Sequence, residues 1–524
     1  MVGFLIFRLN YGILQVILKG AKEKKSLRGF FYNNSGYTMK VMFVCRGAEY
    51  LGIEYLSSSL KTRGHTTDLL FDPGFDDTFF FRAPFLRGLN RWPHLIKQVK
   101  DFQPDLLAVS SVSNTYPYIR ALLKEIRQAF NCYTVIGGAH ASAAPEHLLK
   151  EGLFDAVCIG ESEGALLELV DCLEAGEDPS ELKNFCFLQE AKIIRNPLRP
   201  LIQDLDTLPL PDKDLFYKAG AFSTILTALS GRGCPYSCSF CINSQWRDLY
   251  RGLGPYVRRY SPERILDELR YFTNRYPIKR INFQDDIFTM DKRWLTQFCE
   301  SYSRLIGLPF QCNGHPHFLG KETARLLKMA GCVSVCMGVQ TALYDKRKSL
   351  LARLETNEEI ESAVALFKKY RIQVYLEYIF GLPGETIEDI KANLEFNYKL
   401  RPANTATFMF YPFPGTPLLH YCQERGLINS GKVSQVFEGE GSYHYSSLIQ
   451  LPNKRLSETA ANLFPGLKNL PPSLSIRIIR WLSYDSFQWL VRIIGLLFLP
   501  LSNFFQFRER VSNYFHMFLK SKKR

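Results

Sequence analysis

The sequence Gly231-Arg232-Gly233-Cys234-Pro235-Tyr236-Ser237-Cys238-Ser239-Phe240-Cys241 decides how this chain is interpreted. Its three cysteines, Cys234, Cys238 and Cys241, lie at positions i, i+4 and i+7. On a helix they would share one face, but Pro235 and the two glycines favour a loop that wraps a compact object. Three thiolates therefore converge on one site, and thiolates are typical ligands of zinc and of iron–sulfur clusters.

The number of ligands separates these two interpretations. A structural zinc site normally has four protein ligands. No further cysteine or histidine occurs in the fifty residues after Cys241. Three cysteines on a four-iron cluster leave one iron with an open position, to which a substrate can bind. The spacing favours a 4Fe-4S cluster held by Cys234, Cys238 and Cys241, with zinc or structural thiols as the alternative.

Strand and helix patterns alternate after the cysteine motif, and one further strand precedes it. Short apolar strand patterns occur at 223–230, 278–283, 309–313, 333–338, 373–380 and 405–411. Helical patterns occur at 262–275, 291–305, 321–330, 357–370 and 386–400. Alternating strands and helices of this kind form parallel barrels. The sequence therefore predicts a partial (β/α)6 barrel over residues 221–430.

A second alternating region precedes the barrel. Its strand patterns lie at 40–44, 106–110, 134–136 and 156–159, with helical patterns at about 49–62 and 119–130. This order predicts a doubly wound, Rossmann-like α/β domain over 39–190 that binds ligands at the carboxyl ends of its strands. The proline-rich stretch Leu208-Pro209-Leu210-Pro211 punctuates the chain after it. We place a linker at 191–220.

Composition sets broad limits on the protein. With 524 residues, of which 46% are hydrophobic, the chain is long enough for two or three globular domains. Its 13 cysteines lack the spacing of a disulfide scaffold, which predicts free thiols in a reducing cytoplasm. The net charge of +14 favours an anionic partner or a basic surface that is simply solvated. We expect contact with a membrane surface rather than with nucleic acid.

The two ends of the chain differ from the alternating regions. Residues 1–38 combine short apolar runs with lysines in an order that does not fit a cleavable signal, so they form a basic amphipathic extension or precede the true start of translation. Residues 431–524 lose the alternation. Their apolar part at 473–519 contains Trp481, Trp489 and Phe498 and is followed by a basic tail. It predicts a helix that lies on the inner face of the membrane, or a helical region that packs on the barrel.

The CxxxCxxC spacing, which follows a strand and has Phe240 before the last cysteine, closely resembles the signature of the radical S-adenosylmethionine (radical SAM) superfamily. The resemblance implies that the open iron binds the amino and carboxylate groups of S-adenosylmethionine and that Phe240 lies by the adenine. It also implies a low-potential electron donor as a partner.

Further segments between 220 and 420 resemble the same family. Gln284-Asp285-Asp286 ends the second barrel strand, where the family places polar groups near the methionine end of S-adenosylmethionine. Gly338-Val339-Gln340-Thr341 resembles a motif that usually reads Gly-x-Glu-Ser, so Gln340 replaces a carboxylate. Gly381-Leu382-Pro383-Gly384-Glu385 matches a Gly-x-Pro-Gly-Glu loop whose glycines let the backbone approach the adenosine. The residues that this resemblance assigns to the cofactor are Phe240, Gln284, Asp285, Gln340, Gly381, Gly384 and Glu385.

The turn His315-Pro316-His317 is a further candidate because it follows a predicted barrel strand. A proline between two histidines gives no preferred chelating geometry. We interpret the turn as facing the substrate rather than binding a metal.

Residues 39–185 resemble the cobalamin-binding domain that precedes the barrel in one large radical SAM subfamily. The resemblance rests on Gly137-Gly138-Ala139-His140 and on Ile159-Gly160-Glu161, each of which follows a strand, and on serines that can bond the nucleotide tail. The residues assigned to cobalamin are Ser110, Ser111, Gly137, Gly138, His140, Gly160 and Glu161. The Asp-x-His-x-x-Gly motif of other cobalamin proteins is replaced by Cys45-Arg46-Gly47-Ala48-Glu49-Tyr50, so no cobalt ligand is assigned. The alternative is a nucleotide-binding fold that has lost its cofactor.

The resemblance implies an enzyme that uses a 4Fe-4S cluster, S-adenosylmethionine and cobalamin. The first hypothesis is a cobalamin-dependent radical methyltransferase that acts on an unactivated carbon of a small hydrophobic molecule such as a lipid. The second is an oxidoreductase or cyclase of the anaerobic porphyrin cyclase type. The third is a non-catalytic protein that binds cobalamin or lipid, which the intact cysteine trio disfavours. Methyl transfer would give S-adenosylhomocysteine as well as 5'-deoxyadenosine, whereas cyclisation need not.

Overall fold

Two sheets built on parallel strands organise the chain, and both were predicted from its alternating patterns. The computed structural model describes residues 38–74, 77–78, 81–82, 91–441, 446–484, 487 and 490–491. Nearly all of the basic extension at 1–38 and the last part of the apolar C-terminal region therefore lie outside the described residues.

The first sheet has seven strands in the order β2-β1-β5-β6-β7-β8-β9. Its strands are β1 Lys40–Arg46, β2 Thr66–Asp72, β5 Leu106–Ser110, β6 Tyr133–Gly137, β7 Ala156–Cys158, β8 Phe185–Gln189 and β9 Lys192–Arg195. A separate antiparallel pair consists of β3 Asp77–Thr78 and β4 Phe81–Arg82. The helices are α1 Leu51–Thr62, α2 Trp92–Phe102, α3 Tyr116–Ala129, α4 Ala139–Ala143, α5 Pro145–Lys150 and α6 Glu163–Ala175.

The pairing of this sheet confirms the predicted Rossmann-like class. β2, β1, β5, β6 and β7 are parallel, whereas β8 and β9 add an antiparallel edge. In chain order the parallel strands follow the pattern 2-1-3-4-5, in which the direction of winding reverses between β1 and β5. Ligands of such sheets bind at the carboxyl ends of the strands beside this reversal. The loops after β1 and β5 therefore form the expected binding edge.

The second sheet is the predicted barrel. Six parallel strands run in the order β10-β13-β14-β15-β16-β17. They are β10 Ile225–Ala228, β13 Arg280–Phe283, β14 Phe310–Gly314, β15 Cys332–Gln340, β16 Gln373–Phe380 and β17 Asn404–Met409. The associated helices are α8 Ile242–Leu249, α9 Pro262–Arg275, α10 Lys292–Leu305, α11 Lys321–Met329, α12 Tyr344–Ser349, α13 Asn357–Lys369 and α14 Ile387–Leu400. A short antiparallel pair, β11 Gly231–Arg232 and β12 Arg258–Arg259, frames the cysteine loop.

A buried lysine joins the two sheets. Lys213 begins helix α7, Lys213–Ala219, and its ammonium group lies 2.8 Å from both Glu49 and Glu54 of the first domain. The same group donates a 2.8 Å hydrogen bond to the carbonyl oxygen of Thr227 in β10. Apolar side chains around α7, including Phe216, belong to one core that continues from the first sheet into the barrel. The segment predicted as a linker is thus packed between the two domains.

The described part of the C-terminal region packs on the barrel. Its helices are α15 Pro417–Glu424, α16 Ser430–Phe437, α17 Lys454–Leu467 and α18 Pro472–Leu482. Helix α17 lies against β16 and β17, and α18 lies against α14 and α17. Phe464 and Ile479 are buried in the common core, whereas Trp481 is exposed. Up to residue 482 the packed alternative applies, while Trp489 and Phe498 of the predicted interfacial helix lie outside the described residues.

No helix in the described ranges combines the length and hydropathy that crossing a bilayer requires. Several elements of the first domain were absent from the sequence-based prediction: strand β2, the β3–β4 pair, the β8–β9 hairpin, and helices α2, α4, α5 and α6. Strand β2 begins with Thr66, Thr67 and Asp68, so its polar first half hides the buried second half.

Candidate active site

The cysteine loop lies between β11 and α8, as its proline and glycines predicted. Its centre is fixed by backbone hydrogen bonds: the amide of Ser239 donates to the carbonyl of Leu351 at 3.1 Å, and the amide of Leu418 donates to the carbonyl of Ser239 at 2.9 Å. The guanidinium of Arg247 in α8 also donates to the carbonyl oxygen of Cys234. Three separate segments of the barrel therefore hold one loop.

The three thiols are partly shielded from water and influence one another. Burial raises the pKa of Cys234 to about 12 and that of Cys238 to about 11, and the neighbouring thiols add to the rise at Cys234. These groups carry protons until a metal displaces them. Among the described residues, one trio of His, Cys, Asp or Glu brings its ligand atoms within 4.8 Å of one another, and it is His65, Asp171 and Glu174.

That spacing bears on the choice between zinc and a cluster. Thiolates on one zinc ion, each at about 2.3 Å, would lie within about 4 Å of one another. The loop cysteines do not form so tight a group in the part of the chain that the structure describes. Ligands on separate irons of a cluster stand further apart. The donor set therefore fits a cluster better than a single ion.

Polar groups surround the outer end of the loop. The side-chain amide of Asn243 lies 3.7 Å from the sulfur of Cys241 and donates a 3.0 Å hydrogen bond to Asp286. The hydroxyl of Tyr256 donates to the oxygen of the same amide at 2.6 Å, which fixes its orientation. Phe240 is half-buried and packs against the apolar cluster that includes Leu351. Asn243 was not predicted from the sequence, because its role depends on this folded arrangement.

The predicted polar group at the end of β13 divides into exposed and inward-facing residues. Gln284 and Asp286 are exposed beside the loop. Asp285 is buried and accepts hydrogen bonds from the backbone amide and the hydroxyl of Ser230. Asp285 thus joins β13 to the end of β10. Gln284 is the better placed of the two predicted residues to meet a ligand.

Gln340, which ends β15, occupies a strained position. Its φ is +64°, a left-handed conformation that is rare for a residue other than glycine. A Cβ atom on Gly338 would lie 2.2 Å from the side-chain nitrogen of Gln340, so the end of that side chain would have to move. The carbonyl of Gly338 accepts a 3.0 Å hydrogen bond from Arg353, a buried cation that was not predicted. The motif around Gln340 is therefore tied to Arg353.

The loop from Gly381 to Glu385 contains two different glycines. Gly384 has a φ of +66°, and a Cβ there would meet nothing within 4 Å, so its backbone is open to a ligand. Gly381 has a φ of +72°, which itself favours glycine, and a Cβ there would lie 2.6 Å from the terminal methyl group of Met409. Glu385 turns inward and accepts hydrogen bonds from the Gly381 amide at 2.8 Å and from the Ser457 hydroxyl.

Glu385 should make the stability of the chain depend on pH. Burial raises its pKa to about 7, although its hydrogen bonds with Ser457 and Gly381 act in the opposite direction. An unfolded glutamate titrates near 4.3, so the folded chain retains a proton that the unfolded chain has lost. This contribution is complete below about pH 4.3 and is lost as pH rises through about 7, a change of about 4 kcal/mol.

We expect Glu385→Gln to flatten this dependence, because glutamine does not ionise. Melting temperatures are measured for both proteins at pH 5, 6, 7 and 8. As pH rises, the melting temperature of the wild-type chain should fall more than that of the variant. Parallel curves for the two proteins would show that Glu385 titrates normally.

The interior of the barrel carries a polar surface. Alternate strand residues pack outward in the core, including Phe283, Val335 and Leu376. Their neighbours are only partly buried and form the inner face: Asn282, Gln311, Asn313, Cys336, Tyr375 and Glu377. Gln311 donates a 2.9 Å hydrogen bond to Asn282. This alternation is the usual signature of a barrel wall, so these residues line the space into which a substrate can enter.

The binding edge of the first domain has open backbone at the predicted reversal. Gly47 follows β1 with a φ of +92°, and a Cβ there would meet nothing within 4 Å. Ser110 and Ser111 end β5 beside it. Gly138 has a φ of +98°, and its Cβ would lie 2.8 Å from the carbonyl oxygen of Ser111, so the two loops approach closely only because of that glycine. Hydroxyls and bare backbone of this kind fit a large flat ligand with a nucleotide tail.

His140 is less accessible than the sequence suggested. It is 1% exposed, its Nδ1 lies 3.0 Å from the hydroxyl of Ser113, and its ring lies 4.7 Å from that of Tyr116. Burial lowers its pKa to about 4, so the ring is neutral at pH 7. A Cβ on Gly439 would lie 2.2 Å from the carbonyl of Ser113, so the segment after α16 covers this corner. The cofactor contact assigned to His140 stays a prediction.

Gly160 and Glu161 contact the barrel. A Cβ on Gly160 would lie 1.9 Å from the hydroxyl of Tyr250, and that hydroxyl accepts a 2.7 Å hydrogen bond from the amide of Glu161. The carboxylate of Glu161 accepts hydrogen bonds from Arg258 at 2.7 and 3.0 Å and from Arg232 at 3.2 Å. We call Glu161, Arg232, Arg258 and Tyr250 the interdomain clamp. The contact of Glu161 with cobalamin stays a prediction. The four clamp residues connect the two domains directly.

The comparisons with known proteins agree with both domains. The radical SAM superfamily matches residues 229–396, and the B12 binding domain matches residues 44–170. The chain is a radical SAM enzyme with a cobalamin-binding domain. The cofactors of this family are the 4Fe-4S cluster, S-adenosylmethionine and cobalamin. The cysteine motif had predicted the first two, and the resemblance of residues 39–185 had predicted cobalamin.

Individual relatives of this radical SAM enzyme include methyltransferases and a cyclase. An uncharacterized methyltransferase of Pyrococcus horikoshii is 28% identical over 391 residues, which cover 72% of this chain and 79% of the relative. The anaerobic magnesium-protoporphyrin IX monomethyl ester cyclase of Cereibacter sphaeroides is 25% identical over 415 residues, 74% of this chain and 64% of the cyclase. The radical SAM methyltransferase TsrM of Kitasatospora setae, solved with cobalamin and a 4Fe-4S cluster, shares the fold with a TM-score of 0.61 at 18% identity over 74% of this chain and 75% of TsrM.

Proposed function

We propose that this radical SAM enzyme transfers a methyl group to an unactivated carbon of a hydrophobic substrate. The observation that carries the proposal is the interdomain clamp, which connects the cobalamin-binding domain to Arg232, two residues before Cys234. Methyl transfer to a substrate radical requires both cofactors to face one substrate. Such a reaction needs the two cofactors in a fixed relation. The buried contact between the cysteine loop and the cobalamin-binding domain supports that relation.

The residues divide the work of holding the reactants. When bound, the cluster supplies the electron that cleaves S-adenosylmethionine to methionine and a 5'-deoxyadenosyl radical, and cobalamin supplies the methyl group. Cys234, Cys238 and Cys241 hold the cluster, and the open backbone at Gly384 with the ring of Phe240 receives the adenosine. The polar inner face, with Glu377 as its charged member, orients the polar end of the substrate. Gln340 stands where the family motif usually has a glutamate. Its side-chain amide therefore contacts the cofactor without adding a negative charge.

The first domain receives cobalamin at its reversal point. Gly47, Ser110, Ser111, Gly137 and Gly138 offer backbone and hydroxyl groups to it. The described residues give no reason to name a protein ligand of cobalt. A low-potential donor supplies the electron, and contact of the C-terminal region with a membrane surface remains a prediction for residues after 491.

Oxidative cyclisation is the second candidate, favoured by one observation. The cyclase of Cereibacter sphaeroides aligns with 74% of this chain, so the barrel that serves cyclisation there extends over the same residues here. That cyclase is named for a magnesium porphyrin ester, which is also largely apolar. Product analysis separates the two reactions.

The test begins with the chain purified without oxygen and reconstituted with iron, sulfide and hydroxocobalamin. We expect about four irons and one corrinoid per chain by metal analysis and absorption spectrum. Under reducing conditions with S-adenosylmethionine, formation of S-adenosylhomocysteine together with 5'-deoxyadenosine supports methyl transfer. Formation of 5'-deoxyadenosine alone, with corrinoid bound, favours cyclisation. Four irons without corrinoid would overturn the methyltransferase and leave the first domain as a substrate-gripping module.

A further inference from the structure

The turn His315-Pro316-His317 faces the cysteine loop rather than open space. The ring of His315 stacks on that of Tyr236, with centroids 4.2 Å apart and planes inclined by 23°. The hydroxyl of Tyr236 lies 2.7 Å from Nδ1 of His317. Tyr236 stands between Cys234 and Cys238 in the sequence. The two histidines therefore hold the side chain that separates the first two cysteines.

The second nitrogen of His315 points away from the loop toward a buried acid. Nδ1 of His315 accepts a hydrogen bond from the backbone amide of His317 at 3.4 Å, which caps the short 3-10 helix Pro316–Phe318. Burial lowers the pKa of His315, which favours the neutral ring at pH 7. With Nδ1 accepting, the proton of that ring is on Nε2. Nε2 lies 3.4 Å from the carboxylate of Glu355, which is fully buried.

Glu355 in turn holds a buried cation beside the loop. Its other oxygen accepts a hydrogen bond from Nε of Arg353 at 2.5 Å, and Arg353 is 8% exposed. Just before Arg353, the carbonyls of Leu350 and Leu351 accept hydrogen bonds from Ser239 in the loop.

A continuous set of contacts thus leaves the loop at Tyr236 and returns to it at Arg353. We propose that Tyr236, His315, Glu355 and Arg353 are positioning residues that fix the cluster loop, hold one positive charge beside the cluster and thereby set its reduction potential. The inference rests on the proposed cluster ligands, but it needs neither cobalamin nor a methyl acceptor.

The sign of each effect follows from charge. Reduction adds one electron to the cluster, so a nearby positive charge favours the reduced state and a nearby negative charge opposes it. Removal of Arg353 should make the potential more negative. Removal of the Glu355 charge should make it less negative. A role limited to packing would not produce shifts of opposite sign.

The experiment is a redox titration of the reconstituted cluster, followed by electron paramagnetic resonance. The variants are Arg353→Met, Arg353→Lys, Glu355→Gln and His315→Phe, and the matched control is His94→Phe in α2, a half-buried histidine of the first domain. Iron content and melting temperature identify the variants that fold and bind about four irons.

We expect Arg353→Met to shift the midpoint to more negative potential and Arg353→Lys to restore most of the wild-type value. Glu355→Gln should shift it the other way. His315→Phe keeps an aromatic ring on Tyr236 but loses the contact with Glu355, so it should change the signal shape with a smaller shift. His94→Phe should match the wild type. If Arg353→Met prevents folding, Glu355→Gln and His315→Phe still decide.

Wild-type potentials and signals in all variants that bind four irons would overturn the proposal, as would shifts of one sign for Arg353→Met and Glu355→Gln. Failure of methyl transfer would not affect these measurements. The two proposals can therefore fail separately.

Discussion

Replacing Cys234, Cys238 or Cys241 by serine is expected to lower the iron content of the reconstituted chain from about four atoms to below one. A serine hydroxyl stays protonated at neutral pH and is a poor ligand for iron. Only two thiolates then remain to bind the cluster. Because hydrogen bonds from three other segments fix the loop, it cannot rearrange to supply a third ligand. Cleavage of S-adenosylmethionine to 5'-deoxyadenosine should fall to background in each variant.

The matched control for this experiment is Cys172→Ser, which changes a half-buried free cysteine on α6 in the other domain. It should retain about four irons and wild-type cleavage. Iron content, the absorption of the cluster and 5'-deoxyadenosine are measured in parallel for the four variants. Full iron in any of the three loop variants would mean that other cysteines bind the metal, and the assignment of the loop would be wrong.

Most of the fold could be predicted because parallel strands buried on both faces appear in the sequence as short apolar runs. The core of the first sheet shows this pattern, whereas the barrel strands alternate buried apolar residues with the polar inner face. Strand β2 does not, because its first three residues are polar and only its second half is buried. The β8–β9 hairpin escaped for a related reason. Its outer strand β9 lies at the edge of the sheet, where Lys192 and Arg195 face water, and only β8 has a short buried apolar run, from Phe185 to Phe187.

The candidate site was predicted less completely than the fold. The cysteines could be recognised because their chemistry depends on spacing within eleven residues. Carboxylates at strand ends were harder, since the sequence does not say which way they point. Asp285 and Glu385 turn inward to backbone amides and hydroxyls, whereas Gln284 remains exposed. The partners that decide these orientations lie far away in the chain, as Ser457 does from Glu385.

Glu161 shows the same limit most clearly. A glycine followed by an acid at the end of a strand is typical of a ligand-binding edge. In this chain the partners of Glu161 are arginines 71 and 97 residues away, and the hydroxyl beside its amide is 89 residues away. A single arginine before the cysteine motif carries no signal of that pairing. The interdomain clamp therefore became visible only in the folded structure.

The second large effect is expected for Glu161→Gln, which removes the charge but keeps the size of the side chain. The side chain of Glu161 is 12% exposed and that of Arg258 is 4% exposed, so the change leaves a buried guanidinium without its counter-ion. Breaking a buried ion pair by removing one partner costs about 3 to 5 kcal/mol. We expect the free energy of unfolding, measured by urea denaturation of the metal-free chain, to fall by about 3 kcal/mol.

The matched control is Glu322→Gln on the barrel surface, where the partner Arg325 is also an arginine but both side chains are about half exposed. Its cost should be a small fraction of the cost of Glu161→Gln, because water screens an exposed pair. The double variant Glu161→Gln, Arg258→Met should cost less than the two single changes together, since it removes both buried charges. Equal losses for Glu161→Gln and Glu322→Gln would show that the clamp contributes no more than a surface pair. In that case the fixed relation between the two domains would have to come from the apolar core around Phe216 and from Lys213, whose buried ammonium bonds to glutamates of one domain and to a barrel strand of the other.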